Sequence, residues 1–202
     1  MITIFKHKYD LKSFIKRKTP RIDDHFGVYF ICGRQGSGKT YEAVRLANSL
    51  KIEGDIYTNI HSLKIPHKDF TRISELYDNI DENTLFIIDE VSRKYDRNSK
   101  TDTQFYAWLN QSRKRRRIVI LITQEWRELP MWLRRPAKYM FSVSRTILSR
   151  FGLYKTCVGD AENMVFDKDE GEYSCPPIYY IYHKRNRNIA SLYDTFEPIN
   201  EL

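Results

Sequence analysis

From residue 28 onward the chain alternates short apolar runs with amphipathic stretches. Val28-Tyr-Phe-Ile-Cys32 is a continuous apolar run and predicts a buried strand. Tyr41–Lys51 carries Ala43, Val44, Ala47 and Leu50 on one helical face, and Gly54 stops that helix. Asp55–Asn59 predicts a second strand and Ile73–Ile80 a short helix. Thr84-Leu-Phe-Ile-Ile-Asp89 predicts a third strand, apolar throughout, as parallel strands covered on both faces are. Thr101–Arg113 reads as a helix with Phe105, Trp108, Leu109 and Ser112 on one side. Ile118–Thr123 is a fourth buried strand, Met131–Arg135 a helical turn closed by Pro136, and Lys138–Ser144 a fifth strand. The texture then changes. Lys155–Phe166 and Pro177–His183 predict an antiparallel pair across the acidic loop Asp167–Glu172. Strands alternating with helices predict an α/β fold with a mainly parallel sheet flanked by helices, the late hairpin on its edge.

Residues 1–25 stand apart. Lys6 to Arg21 holds eight Lys, Arg or His in sixteen positions, with Leu11, Phe14 and Ile15 at helical spacing. This predicts a basic N-terminal arm, 1–25, ahead of one domain, 26–202. The 34 Lys and Arg exceed the 26 Asp and Glu, for a net charge of +8, which points toward a polyanionic partner such as nucleic acid or an anionic membrane surface. A solvated basic surface is the plainer reading. The longest aliphatic run, Ile118–Ile122, is far below the about 18 residues a membrane span needs. The start of the chain has no apolar stretch of signal-peptide length. A cytoplasmic or virion-associated location is therefore expected. Cys32, Cys157 and Cys175 are odd in number and widely spaced, which predicts free thiols and no zinc site.

The chemistry concentrates after the first strand. Gly33-Arg34-Gln35-Gly36-Ser37-Gly38-Lys39-Thr40 matches the phosphate-loop pattern G-x-x-x-x-G-K-[ST] in full, with a strand before it and a helix after it. The three glycines allow the loop to turn backbone N–H groups onto phosphate oxygens, and the following helix adds its positive end. Lys39 is expected to reach the β- and γ-phosphates of ATP, and the Thr40 hydroxyl to hold Mg2+.

A second acidic site ends the third strand. The strand carries Asp89 to the edge of the sheet where α/β folds bind ligands. Asp89 is expected at the Mg2+ shell, and Glu90 as general base on an attacking water. Two adjacent acids favour hydrolysis over transfer to a second substrate. Gln124, at the end of the fourth strand, is placed to hydrogen-bond that water or the γ-phosphate, with Thr123 beside it.

Arg113-Lys-Arg-Arg-Arg117 is five consecutive basic residues between a helix and the fourth strand. Cations favour a helix C-terminus, but five exceed what a cap needs. One Arg could reach a neighbouring subunit's γ-phosphate as a finger, or the run could grip a nucleic-acid backbone. Arg134, Arg135 and Arg145 are further finger candidates.

Together these residues resemble the Zot-like P-loop ATPases, named after zonular occludens toxin, which include assembly proteins of filamentous phages. That family sits within the FtsK–HerA group, which also contains viral genome-packaging ATPases. The likeness rests on Gly33–Thr40, Ile56-Tyr-Thr-Asn59, Phe86–Glu90, and Leu109-Asn-Gln-Ser-Arg113 leading to Ile120-Leu-Ile-Thr-Gln124, with a Leu192–Glu197 close. The resemblance implies a RecA-like sheet of the additional-strand type. It assigns nucleotide and magnesium to Lys39 and Thr40, Walker B work to Asp89 and Glu90, and the sensor role to Gln124. Arg113 falls where the family often has an Arg-His pair, but Lys114 replaces the His. Filamentous-phage members typically continue into a membrane segment and a further domain; these 202 residues contain neither, which moves the expectation toward a packaging-type motor.

The leading expectation is an oligomeric, ring-forming ATPase that moves or packages DNA, of either strandedness, in a virus or mobile element. The alternative is an assembly or extrusion ATPase working at a membrane through a viral structural or membrane partner. A small-molecule kinase and a nucleotide-binding scaffold without turnover are the remaining classes.

Overall fold

The computed structural model describes residues 26–50, 52–78, 81–168 and 171–194. The basic arm expected at 1–25 and the second half of the Leu192–Glu197 close lie outside the described residues. In chain order the elements are β1 (Gly27–Cys32), α1 (Lys39–Ser49), β2 (Ile56–Thr58), β3 (Lys68–Asp69), β4 (Leu85–Ile88), α2 (Thr103–Asn110), β5 (Ile118–Thr123), α3 (Met131–Arg134), β6 (Ala137–Arg145), β7 (Leu153–Asp160), β8 (Val165–Asp167), β9 (Glu172–Ser174), β10 (Pro177–Lys184) and α4 (Arg187–Ala190). Eight strands form one sheet in the order β10-β7-β6-β1-β5-β4-β2-β3. β6, β1, β5, β4, β2 and β3 run parallel, and β7 and β10 add an antiparallel edge.

The continuous apolar strands follow from this layering, because both faces of the sheet are covered. Phe30, Phe86, Ile88, Val119 and Leu121 point to one face and pack with Phe105, Trp108 and Leu109 of α2. Tyr29, Ile31, Leu85, Ile87, Ile120 and Ile122 point to the other and pack with Ala43, Val44 and Ala47 of α1. The period-2 alternation of β1 thus feeds two cores rather than one core and solvent.

Three local expectations are corrected. The helix expected over Thr101–Arg113 is shorter. It starts at Thr103 because the Asp102 carboxylate accepts from the Phe105 N–H at 3.0 Å and caps it. It ends at Asn110, and the following turn puts Arg116 at φ 51 and sends Arg117 inward. The helix expected over Ile73–Ile80 is a 3-10 turn, Ile73–Leu76. The long strand expected over Lys155–Phe166 breaks after Asp160, whose carboxylate accepts from both the Asn163 N–H and its Nδ2 and forms a turn. β7 pairs with β10, while β8 and β9 form a separate hairpin around the acidic loop.

The basic run is therefore not uniformly a surface feature. Arg117 is fully buried, donates from Nε to the Asp81 carbonyl at 2.9 Å, and lies over the rings of Phe86 and Trp108. It is a core residue that spends its charge on a carbonyl and two π-faces. Arg117→Ala is expected to cost about 3 kcal/mol, combining a cavity with an orphaned carbonyl. Urea denaturation reads this, and a loss below ~1 kcal/mol would show that the guanidinium contributes little.

Candidate active site

The order β1-β5-β4 explains the site. β5 separates the strand before the phosphate loop from the strand that carries the acids, so three strand ends converge on one edge. The loop at the end of β1 is tightly held. Its first N–H, on Gly33, donates to the Gln124 carbonyl at 3.1 Å. A Cβ on Gly33 would stand 2.4 Å from the Val143 carbonyl oxygen, so only glycine fits between the loop and β6. Gly38 holds φ 100 directly before α1.

Lys39 opens α1, and its amino group arches back to the Arg34 carbonyl at 3.4 Å. Burial lowers its pKa, while Asp89 and Glu90 pull the other way. Thr40 Oγ1 donates to Asp89 Oδ2 at 3.0 Å. The Glu90 N–H donates to Asp89 Oδ1 at 2.8 Å. Burial pushes the Asp89 carboxyl up to about 6; the Glu90 charge adds to the rise, and the hydrogen bonds from Thr40 and Glu90 oppose it. A hydroxyl oxygen against a buried carboxylate fits a small hard cation such as Mg2+. Thr40 and Asp89 are the residues that would hold it, and it would supply charge neutralisation at the phosphates.

Asp89→Asn is expected to separate stability from activity. The folded Asp89 carboxyl holds its proton up to about pH 6, against 3.8 in an open chain. Its contribution to stability is therefore largest below pH 3.8 and falls as the pH rises to about 6. An amide removes that cost and can still accept from the Glu90 N–H and donate to Thr40. The nucleotide-free variant should melt roughly 4 °C higher at pH 7.5 while losing metal-dependent turnover. Differential scanning fluorimetry checks the first half, and a lower melting temperature would overturn the account of a strained carboxylate.

Asn59, at the end of β2, is a residue that sequence reasoning did not assign to the site. Its Nδ2 donates to the Asp89 carbonyl at 3.0 Å, and its Oδ1 accepts from the Asp89 N–H at 2.8 Å. One buried amide thus fixes both sides of the Asp89 peptide. Its signal in the sequence was its place at the end of Ile56-Tyr-Thr-Asn59, a stretch that carried the family resemblance but no role. Glu90 sits at φ 52, in the left-handed region, and its carboxylate is paired with Arg93.

The remaining sequence candidates scatter. Gln124 is exposed at the end of β5, with its backbone carbonyl committed to the loop. Thr123 is buried and its hydroxyl faces the Glu125 carbonyl at 3.5 Å. Arg113 is exposed beside Gly27, at the end of the sheet opposite the phosphate loop. A six-residue strand, about 20 Å, separates it from the phosphate loop of the same chain. Arg134 is buried over the Trp126 ring. Arg145 lies on its own loop, donating from Nε to the Gly36 carbonyl at 2.8 Å. Arg135 is exposed at the end of α3.

The model of the ATPase family associated with various cellular activities (AAA) matches residues 29–145. The chain belongs to the AAA family. It is an ATPase, with phosphate loop, acidic strand end and intervening β5 all inside the matched span. No curated protein matches the sequence. Among solved structures, the N-terminal domain of zonular occludens toxin from Neisseria meningitidis is similar at 18% identity and TM-score 0.62, covering 83% of this chain and 98% of that one. The genome packaging NTPase B204 of Sulfolobus turreted icosahedral virus 2, in complex with ATP-gammaS, is similar at 13% identity and TM-score 0.52, covering 74% of this chain and 96% of that one. The Zot-like resemblance in the sequence thus holds at the level of the fold. Among the described residues of this AAA ATPase, no helix is long and apolar enough to cross a membrane.

Proposed function

We propose that this ATPase is a ring-forming homo-oligomeric motor of viral or mobile-element type that moves or packages DNA. Hydrolysis is assigned to the phosphate-loop edge. Gly33, Arg34, Gln35, Gly36, Ser37, Gly38, Lys39 and Thr40 bind the ATP polyphosphate, Glu90 takes the proton of the attacking water, and Gln124 orients that water. Arg113 can serve only a neighbouring subunit's site, since it lies at the far end of its own sheet.

One observation carries the cargo. Lys114 and Arg116 are exposed on the turn between α2 and β5, and neither forms an ion pair among the described residues. Like charges on one turn repel each other in water and gain when a phosphate backbone neutralises them. They stand at the opposite edge to the ATP site, so cargo and fuel would not compete. The packaging NTPase of similar fold supports the same reading.

ATP hydrolysis measured with and without single- and double-stranded DNA tests it. Stimulation that weakens between low and moderate salt is expected. Lys114→Ala with Arg116→Ala should lower stimulation several-fold and leave the DNA-free rate unchanged. Hydrolysis indifferent to both forms of DNA would overturn the cargo and leave an assembly ATPase that works through a protein or membrane partner.

A further inference from the structure

The phosphate loop has a second wall that hydrolysis does not use. Strand register builds it. Arg145 at the end of β6 is opposite Tyr154 at the start of β7, and Tyr154 is opposite His183 on β10. Residues directly opposite in antiparallel pairs share a face. The row therefore runs outward from the loop, with Arg145 bonded to Gly36 and the Tyr154 ring 3.3 Å from where a Gly38 Cβ would stand.

The rings are arranged in an unusual way. Tyr41, Tyr154 and His183 are pairwise 6.1 to 6.2 Å apart at their centroids and within 22° of parallel. A column would set its outer rings twice as far apart, so these three tile side by side. Tyr41 is buried and its hydroxyl accepts from the Asn186 N–H at 2.8 Å, which pins the cluster beneath α1 and the β10–α4 link. Tyr154 is only half-buried and abuts the loop.

The sheet order gives the direction of a bound nucleotide. Thr40 and Asp89 mark the metal end of the polyphosphate, on the β5–β4 side of β1. The nucleoside end must leave on the other side, where β6 and β7 lie. We infer that Tyr154 is the platform on which the nucleobase stacks, with Arg145 supplying a cation to the adjoining phosphates. This rests on the reading of residues 33–40 as an ATP-binding loop.

Titration calorimetry with two probes tests it, AMP-PNP and inorganic tripolyphosphate, each with Mg2+. Tyr154→Leu keeps an apolar side chain against Gly38 but removes the aromatic face. It should weaken AMP-PNP about 10- to 100-fold and leave tripolyphosphate unchanged, while Tyr154→Phe binds both normally. Unchanged AMP-PNP affinity in Tyr154→Leu overturns the platform. Equal loss of both probes also overturns it, since the ring would then be supporting the loop. If the unmodified protein binds neither probe, the ATP-binding reading falls and this inference with it.

Discussion

Glu90→Gln is expected to bind nucleotide as tightly as the unmodified protein and to turn it over about 1000-fold more slowly. The expectation follows from what the substitution spares. The Glu90 N–H holds Asp89 Oδ1 at 2.8 Å through the backbone, so Asp89 keeps its orientation whatever the side chain is. The Asn59 amide holds the same peptide from the other side. Thr40, Lys39 and the loop are untouched. The left-handed backbone at φ 52 costs a glutamine no more than a glutamate. What changes is one basic oxygen. The glutamine amide has no pKa that lets it accept a proton from water, and it loses most of its attraction to Arg93. That pairing engages the Glu90 carboxylate, so the proposed base would have to release Arg93 to face the water. Single-turnover hydrolysis alongside AMP-PNP titration checks both halves. A turnover rate within threefold of the unmodified protein would remove Glu90 as base. A matching loss of binding would show that Glu90 shapes the nucleotide site rather than the chemistry.

The phosphate loop and the acidic strand end were legible because their chemistry is local. Gly33–Thr40 needs consecutive residues between a strand and a helix, and Ile87-Ile-Asp89-Glu90 needs only a strand end. The parallel core was legible for the same reason, since strands covered on both faces are apolar at every position. Strand order was not. That β5 inserts between β1 and β4 depends on which apolar faces meet in space, and the runs are nearly interchangeable. Asn59 was missed because it touches Asp89 across 30 residues and its partner atoms are backbone, which leave no complementary residue in the sequence. Arg145 reaches Gly36 across 109 residues for the same reason. Arg117 misled in a different way. Five adjacent basic residues read as one surface cluster, but the tight turn at Arg116 reverses the chain and commits the last of them to the core between Phe86 and Trp108.

Lys39→Ala is expected to lower affinity for ATP by about 100- to 1000-fold, the cost of removing one member of a desolvated charge pair. The geometry shows why the loss is large. The Lys39 ammonium is half-buried, and its hydrogen bond to the Arg34 carbonyl is a long one, at 3.4 Å. Burial already lowers its pKa, which marks a cation short of compensation. Asp89 and Glu90 draw it back toward the charged form, but Asp89 is committed to Thr40 and the Glu90 N–H. The proposed triphosphate is the partner whose charge would satisfy it. The substitution should not disturb the fold, because alanine suits the first turn of α1 and the loop is held by the Gly33 and Ser37 N–H bonds to backbone oxygens. An unchanged melting temperature should therefore accompany the loss. The sharper measurement is tripolyphosphate, which has no base. Lys39→Ala should lose it as fully as ATP, whereas Tyr154→Leu should lose only the nucleotide. Retention of tripolyphosphate by the Lys39 variant would move the phosphate contact elsewhere, to Arg145 first, since it is the other cation bonded directly to the loop.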